Sequence, residues 1–300
     1  MIKRAHIRQF LAVVDAGSFT QAAVRIRVTQ PALSAGVAEL EKLVGTPLFI
    51  RNRRQIRLTE AGGGFLPIAR DLERGFRAAD DFGRDGDRQA TELKFGVIRS
   101  VPAEFLQAIV AALRPGFAIE IVENGDSELR AALGSGRINM ALVPLRSGER
   151  GAHIVPLYTE PLAMFIASAH PLAGRIEVAP EDLAAETMIA RRSCEFLDAT
   201  SRFFTRHGVR PRFALRSDSD ERCLRMVAAG IGITTAPVSL AVDGIVPLKV
   251  TGYDFRRALG LIVDPAWNRL PDVDVRLGHS LETISAIAAE WRETKVDAAA

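Results

Sequence analysis

Thr29, Gln30 and Ser34 are the first residues in the chain whose types and spacing suggest a chemical task. A glutamine amide carries paired donor and acceptor groups that suit an adenine edge, and hydroxyls at the same helix start add short-range contacts. Thr29 fits an N-cap, and Pro31 fits a first helical turn, where its missing N–H would have been unpaired anyway. Gln21 stands at the start of the preceding helix, and Arg51, Arg53 and Arg54 form a basic cluster suited to phosphates or a minor groove. Charge agrees. Residues 1–60 hold ten Lys and Arg against four Asp and Glu, a surplus of +6, so the chain's net +3 leaves −3 on the remaining 240 residues. A basic head on a mildly acidic body points the head toward a polyanion.

Short helices must position these groups. Ile7, Phe10, Leu11 and Val14 follow the i, i+3, i+4, i+7 spacing of one buried helical face, which predicts a helix over 6–16 ended by Gly17. Ser18 to Gln21 reads S-x-x-Q, a capping box for a second helix over about 20–26. The third helix starts at the Thr29 cap and runs to Val44, burying Leu33, Val37 and Leu40. Two helices joined by about three residues fit a helix-turn-helix, whose second helix enters the major groove. Short apolar strands over 48–50 and 55–58 flank the arginine cluster, the pattern of a wing.

The stretches FLAVVDAGSFTQAA (10–23), VTQPALS (28–34), LEKLVGTPLF (40–49) and LTEAG (58–62) resemble the signature of LysR-type transcriptional regulators nearly residue for residue. The resemblance implies a winged helix-turn-helix that binds double-stranded operator DNA, with a homodimer or homotetramer as the working assembly and RNA polymerase as a further partner. Many relatives carry Arg, Gln or Lys just after the serine of the recognition helix, whereas this chain has Ala35 and Gly36. More of the base readout then falls on Gln30, Ser34 and the wing. Gly36 costs about 1 kcal/mol of helix propensity against Ala, and nothing in the sequence accounts for it.

From Thr59 to Phe82, Phe65, Ala69, Leu72, Phe76 and Ala79 recur at 4-3-4-3 spacing, a seam suited to a coiled-coil partner. In the family it resembles, this segment is the dimerising linker helix. Gly62, Gly63 and Gly64 are expected to fray its first turn, and the run from Asp80 to Asp87 reads as a hinge.

Beyond the hinge the pattern alternates. Strands over 93–98, 118–122 and 139–143 with helices over 102–113 and 127–134 make one block. Strands over 188–190, 212–215 and 231–235 with helices over 194–206 and 220–229 make a second. Such β-α-β succession implies a largely parallel sheet. Apolar strands over 162–166 and 259–263 are placed to cross between the blocks. EPLA (160–163), AHPLA (169–173) and VAAGIGITTAP (227–237) resemble phrases of the LysR-type effector domain. The expected fold is therefore α+β and multidomain: a winged helix-turn-helix (1–58), a linker helix and hinge (59–87), and a two-lobed α/β periplasmic-binding-protein-like (type 2) effector domain (88–300). Lobe I is expected over about 88–162 and 265–300, and lobe II over about 163–264. Strand carboxyl ends at a switch point bind ligands in such sheets, which marks Arg99, Ser100, Val101, Arg192, Ser193 and Thr234 for a small-molecule co-inducer. Arginine with hydroxyls at helix starts would suit a carboxylate or another small anion.

Other function classes lack their residues. Five histidines (6, 153, 170, 207, 279) stand apart, and no HExxH pair, G-x-S-x-G elbow, P-loop or dinucleotide fingerprint occurs, so neither an enzyme nor a cofactor or metal is expected. The N-terminus shows no signal-peptide or membrane run, which predicts a cytoplasmic location and argues against a secreted solute-binding protein. Two cysteines are too few for a disulfide framework. Cys194, beside Arg191 and Arg192 at the start of an expected helix, is the one redox candidate. Peroxide-sensing members of the family place a reactive cysteine similarly, but with a resolving partner a few residues later. Cys223 is 29 residues on, which favours a structural thiol.

Overall fold

The computed structural model describes residues 1–52, 55–81 and 91–298. The chain divides into two compact units, Met1–Gln89 with Arg130–Ile138, and Ala90–Leu129 with Asn139–Ala300.

In the first unit α1 (Arg4–Ala16) ends at Gly17, where φ is +63°. Ser18 caps α2 (Phe19–Arg25) by accepting from the Gln21 N–H at 3.5 Å. Thr29 caps α3 (Gln30–Val44) by accepting from the Ala32 N–H at 3.3 Å. An antiparallel hairpin follows, β1 (Phe49–Asn52) and β2 (Gln55–Leu58), with Phe49 opposite Leu58. Ile7, Phe10, Leu33, Val37, Leu40 and Leu48 are fully buried in a shared core. Phe10 meets Phe49 and Phe65 with ring centroids 5.2 and 5.3 Å apart.

Two glycines acquire a reason here. A Cβ on Gly36 would fall 1.8 Å from the Gln9 side-chain oxygen, so the missing side chain lets α1 lay Gln9 across α3. The linker helix α4 (Glu60–Asp81) begins intact rather than frayed. Thr59 Oγ accepts from the Gly62 N–H at 2.9 Å and donates to the Pro47 carbonyl at 2.8 Å, fastening the first turn to the wing's base. A Cβ on Gly62 would sit 2.1 Å from the Leu48 carbonyl oxygen, so only glycine permits that approach. Asp80 and Asp81 close α4 instead of opening a hinge, and the rest of the expected hinge lies outside the described residues.

The chain then runs through β3 (Thr91–Ile98), α5 (Ala103–Leu113), β4 (Phe117–Asn124), α6 (Asp126–Gly134) and β5 (Met140–Leu145), with β3 parallel to both β4 and β5. The long β6 (Ile154–Ala167) comes next, then β7 (Glu177–Val178), β8 (Thr187–Arg191), α7 (Leu197–Arg206), β9 (Arg212–Ser217), α8 (Asp220–Ala228) and β10 (Thr234–Pro237). The chain returns through β11 (Ile245–Val250) and β12 (Arg256–Val263) to α9 (Pro265–Asn268) and α10 (Pro271–Trp291).

The main sheet runs β4-β3-β5-β12-β6-β11-β7, with β10 also on β6. It is mixed rather than largely parallel. β12 is antiparallel to β5 and β6, because the crossing strands return the chain without a helical crossover. Residues Ile154–Pro161 of β6 pair with β12, whereas Leu162–Ala167 pair with β10 and β11. β6 is thus the strand that leaves one lobe and enters the other. β8 and β9 form a parallel pair, with Met188 bridging to Ile233.

The helix expected over 194–206 starts later, at Leu197. Residues 192–196 turn instead, with the Cys194 N–H on the Arg191 carbonyl at 3.1 Å and the Leu197 N–H on the Cys194 carbonyl at 3.2 Å. Side chains from this turn are committed to partners elsewhere, which holds it out of the helix.

Candidate functional site

The first unit presents one face built around the start of α3. Gln21, Thr29, Gln30 and Pro31 are exposed and Ser34 is half-buried. The Gln30 amide nitrogen donates to Ser34 Oγ at 2.9 Å, so the two polar side chains fix one another along the helix. A second amide N–H and the carbonyl oxygen of Gln30 stay available to a base edge. The exposed N-terminus of α3 adds partial positive charge. Arg51 belongs to β1, but its side chain, like all of Arg53 and Arg54, lies outside the described residues.

The expected linker seam divides. Phe65 and Ala69 face the core of their own unit, Ala69 completely buried. Ile68, Leu72 and Phe76 are 53, 40 and 39% exposed, an apolar row at four-residue spacing along α4. The Arg4 guanidinium packs 5.4 Å from the Phe76 ring and bonds both oxygens of the buried Glu73 at 3.2 Å, holding α4 to the start of α1.

In the second unit the expected effector residues separate into three environments. Arg99 is exposed and reaches Glu123 at 3.9 Å, and Arg192 is exposed. With Val101, Arg99 lines a cleft of about 930 Å³ whose other wall is Arg216–Arg225. Ser193 donates to Asp220 at 2.9 Å. That carboxylate also holds the buried Arg191 through bonds of 2.8 and 2.5 Å, and Arg191 donates its remaining nitrogen to the Thr235 carbonyl at 3.0 Å. Thr234 is spent on the Ile189 carbonyl at 2.7 Å and lines a separate chamber of about 260 Å³, inside lobe II, beside Cys194 and Phe204.

Ser100 alone reaches the point where the lobes meet, and the groups it meets there escaped the sequence reading. Arg257 of β12, with no exposed side-chain surface, lies opposite Glu160 of β6 and bonds its Oε1 at 2.8 Å. Its other nitrogens reach Ser100 Oγ at 2.8 Å, the Ser100 carbonyl at 3.0 Å and Glu195 Oε1 at 2.6 Å. Ser100 Oγ in turn donates to Glu195 Oε1 at 2.9 Å. Lobe I, both crossing strands and the 192–196 turn of lobe II therefore converge on one guanidinium. Burial acts to raise the Glu195 pKa, but Arg257's charge and hydrogen bond outweigh it and hold the carboxyl below its usual range. A signal for Glu160 did exist: it is the one charge in the long strand β6, and a charge inside such a strand must be paired, whereas Arg257 stands beside Arg256 at the start of β12 and carries no such mark.

Cys194 is buried, and burial pushes its thiol up, helped by Glu195 and opposed by Arg191. Its neighbour Arg191 is paired with Asp220, so the surroundings disfavour thiolate.

Residues 86–280 match the family described as the LysR substrate binding domain, and residues 5–63 match the bacterial regulatory helix-turn-helix protein, lysR family. The chain belongs to the LysR family of bacterial transcriptional regulators. It is 30% identical over 274 residues to the HTH-type transcriptional regulator TtuA of Agrobacterium vitis, an alignment covering 87% of this chain and 90% of that protein. It is also 30% identical over 270 residues to the DNA-binding transcriptional dual regulator OxyR of Escherichia coli K12, covering 86 and 88%. A full-length OxyR variant from Pseudomonas aeruginosa superposes with a TM-score of 0.54 at 22% identity, covering 95% of each chain. Full-length BenM gives 0.53 at 24% identity, covering 98 and 99%. Both structures speak to the fold alone. This LysR-type regulator therefore pairs a DNA-binding helix-turn-helix with an effector-binding domain, and it is not an enzyme. Among the described residues no helix is long and apolar enough to cross a membrane.

Proposed function

We propose that this LysR-type regulator reads operator DNA with the N-terminal turn of α3 and the wing, and that a small molecule bound between its two lobes changes how it does so. Gln30 supplies base readout, Thr29, Pro31, Ser34 and Gln21 set the register, and Arg51, Arg53 and Arg54 meet phosphates or the minor groove. The observation that carries the DNA reading is the exposed Gln30 amide, held by its hydrogen bond to Ser34 at a capped helix start. Operator DNA places the protein in the cytoplasm. Ile68, Leu72 and Phe76 supply the apolar row through which linker helices pair into a dimer, with a tetramer formed from two such dimers and RNA polymerase as a partner at the promoter.

The effector reading rests on the convergence of Ser100, Glu160, Glu195 and Arg257 at the lobe junction, and on a cleft of ordinary ligand size lined by Arg99 and Val101, the two chain neighbours of Ser100. A ligand there shifts the protein only through different affinity for two lobe arrangements. The buried Cys194 thiol, pushed up by burial, favours this over thiol sensing. The test is to select genomic fragments with the purified protein, then screen metabolites of the neighbouring genes for a changed footprint on the selected operator. A footprint unaltered by all of them, but altered by peroxide and insensitive to peroxide in Cys194→Ser, would replace the small-molecule reading.

A further inference from the structure

Arg257 is held by two carboxylates, and they are not equivalent. Glu160 has no exposed side-chain surface, sits on the adjoining strand and also accepts the Ser239 N–H at 3.0 Å, so both its oxygens are bonded. Glu195 comes from a turn of the other lobe and is 15% exposed. Its Oε1 takes the Ser100 hydroxyl and one Arg257 nitrogen, while its Oε2 is buried with no hydrogen-bond partner among the described residues. Glu160 alone neutralises Arg257. Glu195 then adds a second buried charge with one oxygen unsatisfied, an arrangement that costs stability unless something else requires it.

Chemically, a guanidinium and a hydroxyl converging on a single oxygen are the parts of a carboxylate-binding site. Here the carboxylate already bound is the protein's own. We infer that Glu195 is a tethered occupant of an anion site formed by Arg257 and Ser100, and that the ligand class this site takes is a small carboxylate that replaces it. The inference rests on the reading of the lobe junction as the effector site. It explains why the two buried arginines of this region carry no unmatched charge: Arg191 is matched by Asp220, and Arg257 by Glu160 with Glu195 standing in for ligand. Exchange would free the 192–196 turn from Ser100 and Arg257, cutting a direct side-chain link between the lobes. Carboxylate binding and lobe opening are thereby coupled.

The experiment is a thermal-shift titration of full-length Glu195→Ala with sodium acetate, against sodium chloride and methylammonium chloride at matched ionic strength. Acetate alone should raise Tm saturably, by about 2–4 °C at ten times its Kd. The wild-type protein, with its site filled, should not respond at the same concentrations. Glu195→Gln should behave like wild type, since the amide still fills the space, and Ser100→Ala in the Glu195→Ala background should weaken acetate at least tenfold. Equal shifts in wild type and Glu195→Ala, or none in Glu195→Ala, would overturn the inference. Operator binding measured by anisotropy in the same samples separates the two readings. Acetate that binds Glu195→Ala without altering the operator complex supports the tethered-carboxylate site and counts against its regulatory use. A metabolite that alters the wild-type complex while Glu195→Ala ignores acetate keeps the effector reading and rejects the site.

Discussion

The charge balance around Arg257 predicts a ranking of three substitutions that contact counting would not give. Arg257→Met removes one cation and strands Glu160 and Glu195, the first completely buried, with no opposite charge between them. Breaking a buried pair from one side costs about 3–5 kcal/mol, and here two carboxylates lose their partner, so this variant should lose at least that much. Glu160→Gln keeps the shape and leaves Arg257 neutralised by Glu195. It forfeits charge-assisted bonds only, about 1–3 kcal/mol. Glu195→Ala loses two bonds from Ser100 and Arg257 but removes the excess charge and the unsatisfied Oε2, so it should fall within about 1 kcal/mol of wild type. Urea unfolding followed by tryptophan fluorescence reads the effector domain, because both tryptophans lie there, Trp291 against Phe105 at 5.2 Å and Trp267 against Phe117 at 5.5 Å. The midpoints should order as Arg257→Met lowest, then Glu160→Gln, then Glu195→Ala beside wild type, with unchanged slopes. If Glu195→Ala proved as damaging as Glu160→Gln, the two carboxylates would be structural equals and the charge argument would fail.

The glycines at the start of α4 should part company: Gly63→Ala and Gly64→Ala face open space and should each stabilise the head by about 0.5–1 kcal/mol, whereas Gly62→Ala drives a Cβ into the Leu48 carbonyl and should destabilise it. Amide exchange at Leu33, Val37 and Leu40 measures both, and equal effects at all three glycines would refute the close contact. Ile68→Asp or Leu72→Asp should dissociate the assembly in light scattering while Ala69→Asp unfolds the head; an unchanged mass for the first two would remove α4 from the interface. The Glu195 carboxyl is held below its usual value near 4.5, so its contribution is present above that pH and is lost as pH falls through the folded pKa. Wild-type Tm should therefore drop more steeply than that of Glu195→Ala below about pH 4.5, and parallel profiles would contradict the assignment. Iodoacetamide at pH 8 should modify Cys194 at least about tenfold more slowly in native protein than in urea, as burial and a raised thiol pKa require; equal rates would reopen thiol sensing.

Much of the head was legible because its signals are local. The 3.6-residue spacing of Ile7, Phe10, Leu11 and Val14, and the caps at Ser18 and Thr29, each act within one turn of helix. Gly36 and Gly62 could not be explained that way, since the atoms that need them absent of a side chain belong to Gln9 and Leu48 on other elements. The linker spacing correctly marked apolar residues yet not the direction each faces: Phe65 and Ala69 turn to Phe10 and its neighbours, and only the row through Leu72 stays exposed. In the effector domain, Ser100 was found as a strand-end hydroxyl, but its partner Arg257 is 157 residues away and Glu195 is 95. Alternation along a short strand does not say which of Arg191 and Arg192 turns inward. Arg191, the last residue of β8, is buried, and Arg192, in the turn that follows, is exposed.

The most direct test is the affinity of the purified full-length protein for a genomic fragment it selects, set against a random duplex of equal length at one salt concentration. Binding through α3 predicts a preference of about 10³ or more for the selected fragment, with Gln30→Ala lowering that preference by about 1–3 kcal/mol and leaving random-duplex affinity unchanged. Equal affinity of the wild-type protein for both duplexes would contradict it.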